Sequence, residues 1–133
     1  MSVPALGLPQ DRIKRFESDL TVINTTSGNT FYHEFDRVPA VVEVRLVCIT
    51  ANNGYRVGEE IPIESVWSND GNNDDGGPYR ILRYNRETVL VWIGSGTYSF
   101  FAATAAPITA NVVNITLTQW RLKVLCLDAR PLA

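Results

Sequence analysis

The sequence predicts an all-β protein, an antiparallel β-sandwich of about seven to eight strands behind an extended N-terminal arm, and three observations carry that expectation. Val, Ile and Thr are abundant beside three Trp, five Tyr and five Phe, side chains that pack well on a pleated surface. Apolar and polar residues alternate in short runs at roughly ten-residue intervals, separated by Gly, Asn, Asp and Ser turns. At 133 residues the chain is long enough for one core and short for two.

The expected organisation is an attachment segment over residues 1–19 and a sandwich domain over residues 20–133. In the first ten residues Pro4, Gly7 and Pro9 interrupt Val3, Leu6 and Leu8, which disfavours regular structure and predicts an extended arm able to dock on a neighbour. Residues 11–20 place Ile13, Phe16 and Leu20 along one helical face, so one short amphipathic helix is expected there. Val3, Pro4, Leu6, Leu8, Ile13 and Phe16 form the candidate partner-attachment set. Residues 20–24 and 30–35 then read as a hairpin bent through residues 25–29.

Residues 41–63 form the organising hairpin. Val42, Val44, Leu46 and Cys48 alternate with Glu43 and Arg45, the pattern of a strand with one buried face, and Asn52, Asn53 and Gly54 supply residues that tolerate positive φ. Residues 68–78 hold no apolar side chain before Pro78, which predicts a surface loop. Beyond it, residues 79–84, 88–93 and 97–102 read as a three-stranded meander, residues 104–110 as a connection broken at Pro107, and residues 112–117 as a short strand. In the last strand, residues 120–127, Trp120, Leu122, Val124 and Cys126 share a face opposite Arg121 and Lys123. If it pairs with the organising strand, Glu43 meets Arg121 or Lys123 on the outer face.

Composition narrows the function. Twelve basic against fourteen acidic residues give a net charge of −2, which offers no field for nucleic acid or an anionic membrane, and no apolar run approaches the ~20 residues of a spanning helix. The opening residues lack a signal-peptide pattern, so a soluble chain made without export is expected, and the sequons at Asn24 and Asn114 then carry no glycan. Two cysteines, Cys48 and Cys126, sit in apolar runs as small hydrophobes; a disulfide between them would need their strands to be neighbours in the right geometry.

No catalytic constellation emerges. His33, the one histidine, has no partner of recognised spacing and is expected on a strand surface. Glu59 and Glu60 are adjacent, point to opposite faces and read as solvated charges. Asp70, Asn72 and Asp74 resemble the first oxygen ligands of a calcium loop, but Asp75 and Ile81 stand where such a loop needs Gly and a bidentate carboxylate, so a mobile, solvated loop is expected, with calcium at those three residues the lesser alternative, and no cofactor is implied. The same loop is the candidate recognition site: Asn69, Asp70, Asn72, Asn73, Asp74 and Asp75 offer hydrogen-bonding groups between Trp67 and Tyr79, with Arg80 following. Those aromatics serve equally well as ordinary core at strand ends. Arg80, Arg83 and Arg86 either bind an anionic glycan or pair with carboxylates on a neighbouring element.

The run FYHEFDRVPAVVEVRLVCITANNGYRVGEEI at residues 31–61, with Trp120-Arg121-Leu122 opening the last strand, resembles the C-terminal domains of tailed-bacteriophage tail fibres and receptor-binding proteins. It is also distantly similar to the H-type lectin sandwich, where a Phe and a Pro precede a strand in the same manner. The resemblance implies a homotrimer in the virion, contacts with other virion proteins, and recognition of host surface polysaccharide. With only about thirty residues ahead of residue 31, the chain is expected to be a separate virion component held by its arm. The alternative is a virion adaptor or decoration protein that binds no glycan.

Overall fold

A computed structural model of the chain describes residues 13–68, 81–94, 98–101 and 112–129. The described residues contain eleven strands: β1 (Ile13–Glu17), β2 (Thr21–Val22), β3 (Asn29–Tyr32), β4 (Val41–Cys48), β5 (Glu60–Pro62), β6 (Trp67–Ser68), β7 (Ile81–Tyr84), β8 (Thr88–Trp92), β9 (Tyr98–Phe101), β10 (Val112–Asn114) and β11 (Trp120–Ala129). Two single 3-10 turns, Ile63–Ser65 and Leu117–Gln119, are the helical elements among them. The fold is all-β and every strand pair is antiparallel.

The strands form three sheets. The central sheet has the order β1-β11-β4-β5, with β2 also on β11; the second is β3-β8-β7 and the third β10-β9-β6. The longest pairing joins β4 to β11 in the expected alternation, from Trp120 opposite Cys48 to Leu127 opposite Val41. Val44, Leu46, Cys48, Trp120, Leu122, Val124 and Cys126 all point inward and are buried. They meet Phe31, Val89 and Val91 of the second sheet and Tyr98 and Phe100 of the third in one core.

The organising hairpin is present, with a longer tip than three turn residues. β4 pairs with β5 from Val47–Glu60 to Arg45–Pro62, and Pro62, which has no N–H to donate, ends the ladder. Between them Asn52 and Tyr55 bridge a small turn in which Asn53 (φ 53°) and Gly54 (φ 90°) are both left-handed, as an Asn-Gly turn requires. Tyr55 returns to the core, stacked on Phe100 at 5.1 Å and edge-on to Trp120 at 5.4 Å.

Several expectations are corrected. Residues 13–17 form a strand, not a helix: about ten residues nucleate a helix poorly, whereas pairing with Leu125 to Ala129 of β11 satisfies one edge of the backbone and half-buries Phe16. Residues 20–35 are not a hairpin, because β2 joins β11 while β3 crosses to β8. Asn24 explains the divergence: its Oδ1 accepts from the backbone N–H groups of Thr26 and Ser27, turning the chain out of the central sheet. β9 leaves the expected meander for β6 and β10.

The outer-face charges also pair differently. Glu43 lies opposite Leu125, not Arg121 or Lys123. Lys123 instead reaches Glu60 at 2.7 Å and Glu17 at 3.5 Å, and Arg45 engages Glu43 and, at 2.9 Å, Glu60. Glu60 is therefore an ion-pair bridge and no solvated charge. Cys48 and Cys126 are free; Cys126 pairs with Val42, six positions from Cys48 along β4, roughly 20 Å at strand rise and far beyond disulfide reach.

Candidate functional site

The site is built on the second sheet, starting from the alternation in residues 29–36. Asn29, Phe31, His33 and Phe35 face inward and are buried, so Thr30, Tyr32, Glu34 and Asp36 face out. His33 is thus a core residue, only 3% exposed, contrary to its expected surface place. Its Nε2 lies 2.8 Å from the Asn85 carbonyl and its Nδ1 accepts the Phe35 N–H at 3.1 Å, partners that select the neutral tautomer with hydrogen on Nε2. The His33 N–H donates to the Glu87 carbonyl, so one residue locks the end of β3 to the β7–β8 turn.

That anchoring sustains an unusual backbone. Glu34 and Asp36 both have φ of 61°, in the left-handed region that side chains other than Gly seldom occupy, on either side of the buried Phe35. Such strain persists only where neighbouring contacts over-determine it. The opposing turn is equally fixed: Asn85 Oδ1 accepts from the N–H groups of Glu87 and Thr88, each at 2.8 Å, and Asn85 N–H donates to the Thr88 carbonyl. Arg86 Nη2 then donates to Asp36 Oδ1 at 2.7 Å across the gap, a solvent-exposed contact that raises the guanidinium pKa.

Two shallow clefts result. One, of about 240 Å³, is lined by Tyr32, Glu34, Asp36, Arg86 and Glu87; the other, of about 220 Å³, by Thr30, Arg83, Tyr84, Asn85, Thr88 and Leu90. They adjoin, because Tyr32 of the first is the cross-strand partner of Thr88 in the second. Tyr32 is 65% exposed, so a large aromatic ring stands in solvent between a group of carboxylates with an arginine and a group of hydroxyl, amide and guanidinium donors. This arrangement suits a ligand with many hydroxyls and at least one apolar ring face.

A second charged constellation covers the outer face of the central sheet. Lys123 is buried to 8% exposure with its ammonium between Glu60 and Glu17. The Lys123 and Arg45 hydrogen bonds hold the Glu60 carboxyl below its ordinary pKa, and Glu60 in turn raises Lys123. Arg45 is raised by Glu43 first and Glu60 second. These groups neutralise one another and orient β5 and β1 on β11.

Of the residues singled out in the sequence, Trp67 lies in β6 opposite Ser99, half-buried at the third sheet. Asn69, Asp70, Asn72, Asn73, Asp74, Asp75, Tyr79 and Arg80, and with them the calcium-like trio, lie outside the described residues, as do Val3, Pro4, Leu6 and Leu8. Arg86 pairs with a neighbouring carboxylate, one of the two readings of the arginine cluster, while Arg83 lines the second cleft. Ile13 is exposed and Phe16 half-buried, both in β1. Thr30, Tyr32, Glu34, Asp36 and Thr88 were not anticipated as a site; the signal for them is the alternation that buries Phe31, His33 and Phe35. Among the described residues no group of three or more His, Cys, Asp or Glu is placed to hold a metal ion, and no helix is long and apolar enough to cross a membrane. Comparison with protein-family models, with curated proteins and with solved structures returned no match.

Proposed function

We propose that the chain is a non-enzymatic virion domain of the bacteriophage tail-fibre or receptor-binding type that contacts host surface polysaccharide through the outer face of the β3-β8-β7 sheet. The observation that carries the reading is the exposed Tyr32 ring between two fixed clefts rich in hydroxyl, carboxylate and guanidinium groups. The resemblance of residues 31–61 to phage fibre tips supports it, since that run contains Tyr32, Glu34 and Asp36. In this reading the chain assembles as a homotrimer and meets other virion proteins through its N-terminal arm.

Glycan arrays and calorimetry on the full chain test the proposal. Tyr32→Ala and Arg83→Ala should each weaken binding about tenfold, near 1.4 kcal/mol, and replacing residues 70–75 by Gly and Ser should weaken it further. Binding that survives both point changes moves the site elsewhere. A parent chain that binds no glycan supports the second reading, a structural adaptor or decoration protein, which the exposed apolar residues on the central sheet favour.

A further inference from the structure

His33 couples two features of the second sheet, the strained segment after β3 and the turn between β7 and β8. Its buried ring is held by backbone groups alone: the Asn85 carbonyl lies 2.8 Å from Nε2, and Nδ1 accepts the Phe35 N–H at 3.1 Å. The second bond closes around Glu34, one of the two residues at φ 61°, and Asp36, the other, follows Phe35 directly. With the bond from the His33 N–H to the Glu87 carbonyl, one neutral imidazole residue fastens the strained segment to the turn.

This bonding works in one protonation state only. Neutral imidazole offers one donor and one acceptor, as the two partners require, whereas imidazolium offers two donors. On protonation the new hydrogen on Nδ1 points at the Phe35 N–H, so a hydrogen bond is lost and two donors face each other. The charged side chains on the elements that bond to the ring or lie against it are Glu34, Asp36 and Arg37 of its own segment and Arg86 and Glu87 of the turn. All five residues are exposed, and none bonds to a ring nitrogen through its side chain; Arg37 lies 3.3 Å from Asp128, and Arg86 2.7 Å from Asp36. A buried cation with no bonded carboxylate is costly. Outward movement brings it to water and towards the exposed carboxylates of Glu34, Asp36 and Glu87.

We propose that His33 is an acid-released latch: protonation of its ring frees the segment from Glu34 to Asp36 from the Asn85 turn and dismantles the cleft lined by Tyr32, Glu34, Asp36, Arg86 and Glu87. Release also lets Glu34 and Asp36 leave the left-handed region, so the strain stored there favours opening. The fold uses the neutral ring. The latch therefore holds above the range in which histidine ordinarily protonates, about 6.5, and yields as pH falls through it. Composition isolates the event. His33 is the one histidine, and Asp and Glu ordinarily titrate near ~4, so no other side chain has its ordinary charge change between about pH 7.5 and 5.5.

The latch is independent of the glycan reading, because its readouts are ring and amide signals. A pH titration of the ¹⁵N-labelled full chain by NMR tests it. The ring should carry hydrogen on Nε2 alone at about pH 7.5 and gain the second proton towards about pH 5.5, with the His33 and Phe35 amides shifting at the same midpoint. Over that range the Phe35 amide should lose at least about tenfold of its protection against hydrogen exchange, while the Leu46 and Leu122 amides of the core keep theirs. His33→Asn places an acceptor, Oδ1, where Nδ1 stood and has nothing to protonate, so its Phe35 amide should stay protected throughout. A ring still neutral at about pH 5.5 overturns the proposal, as does a ring that protonates while the Phe35 amide keeps its protection. Loss of protection in His33→Asn equal to the parent's also overturns it. If His33→Asn does not fold, the titration of the parent decides by the first two outcomes.

Discussion

The indole N–H of Trp120 donates a 2.9 Å hydrogen bond to Asn52 Oδ1, tying the first residue of the last strand to the tip of the organising hairpin 68 positions earlier. Trp120 is fully buried and also meets Tyr55 and Phe100 edge-on, so this bond aligns the ring on which three chain segments converge. Asn53 Nδ2 extends the tie to the Asn114 carbonyl at the end of β10. Asn52→Ala leaves the indole donor of a buried ring without this partner and should cost about 1–3 kcal/mol. Trp120→Ala removes the ring itself and should cost about 3–5 kcal/mol. Urea unfolding followed by circular dichroism measures both; equal costs would mean that the bond, and not the packing, dominates.

The Glu60–Lys123 pair makes a pH prediction. Glu60 has its carboxyl below the ordinary 4.5 in the fold, so its contribution is present above that value and is lost as pH falls through the lowered one. Lys123 lies above its ordinary 10.5, so its contribution is present below that value and is lost as pH rises through the raised one. The melting temperature of the parent relative to Glu60→Gln should therefore hold a constant advantage between about pH 6 and 9 and shrink below about pH 4. An advantage that stays level into acid would show that Glu60 acts through shape alone.

Both thiols should be silent in the native protein. Burial pushes the Cys126 thiol up to about 11 and raises Cys48 as well, so neither supplies thiolate near neutrality. Iodoacetamide at pH 7.5 should label neither cysteine until denaturant is added, when both react together. Mass spectrometry showing one label under native conditions would reveal local opening of its strand.

Gly28 and Gly58 separate strain from contact. Both have positive φ, 86° and 96°, but a Cβ on Gly28 would come within 3.1 Å of Leu90 Cδ1 whereas one on Gly58 meets nothing within 4 Å. Gly58→Ala should cost about 1 kcal/mol from backbone strain alone. Gly28→Ala should cost more, since Leu90 must shift on the face that carries Thr30 and Arg83. Equal losses in denaturant midpoint would show that Leu90 yields freely.

Strand identity was legible wherever the alternation was long. The inward faces of β4 and β11, the Asn53-Gly54 turn and the strands at Thr88–Trp92 and Tyr98–Phe101 follow from period-2 patterning and turn chemistry, which are local. Residues 13–17 were misread because Ile13 and Phe16 fit a helical spacing as well as a strand edge, and only the free edge of β11 decides between them. Partner choice was not legible: β3 joins β8 and β9 joins β6 through pairings between residues some thirty to sixty positions apart. The candidate site is of this second kind. Tyr32, Asp36, Arg86 and Thr88 come together because His33 is buried against the Asn85 turn; the alternation of Phe31, His33 and Phe35 marks the buried face, but the Asn85 carbonyl that receives His33 lies 52 residues away. By itself the sequence determined an all-β chain with a charged and an apolar face on each long strand, because those are properties of short windows. Only the tertiary structure decided which edges meet, because pairing is settled by buried surface and backbone hydrogen bonds summed over distant segments.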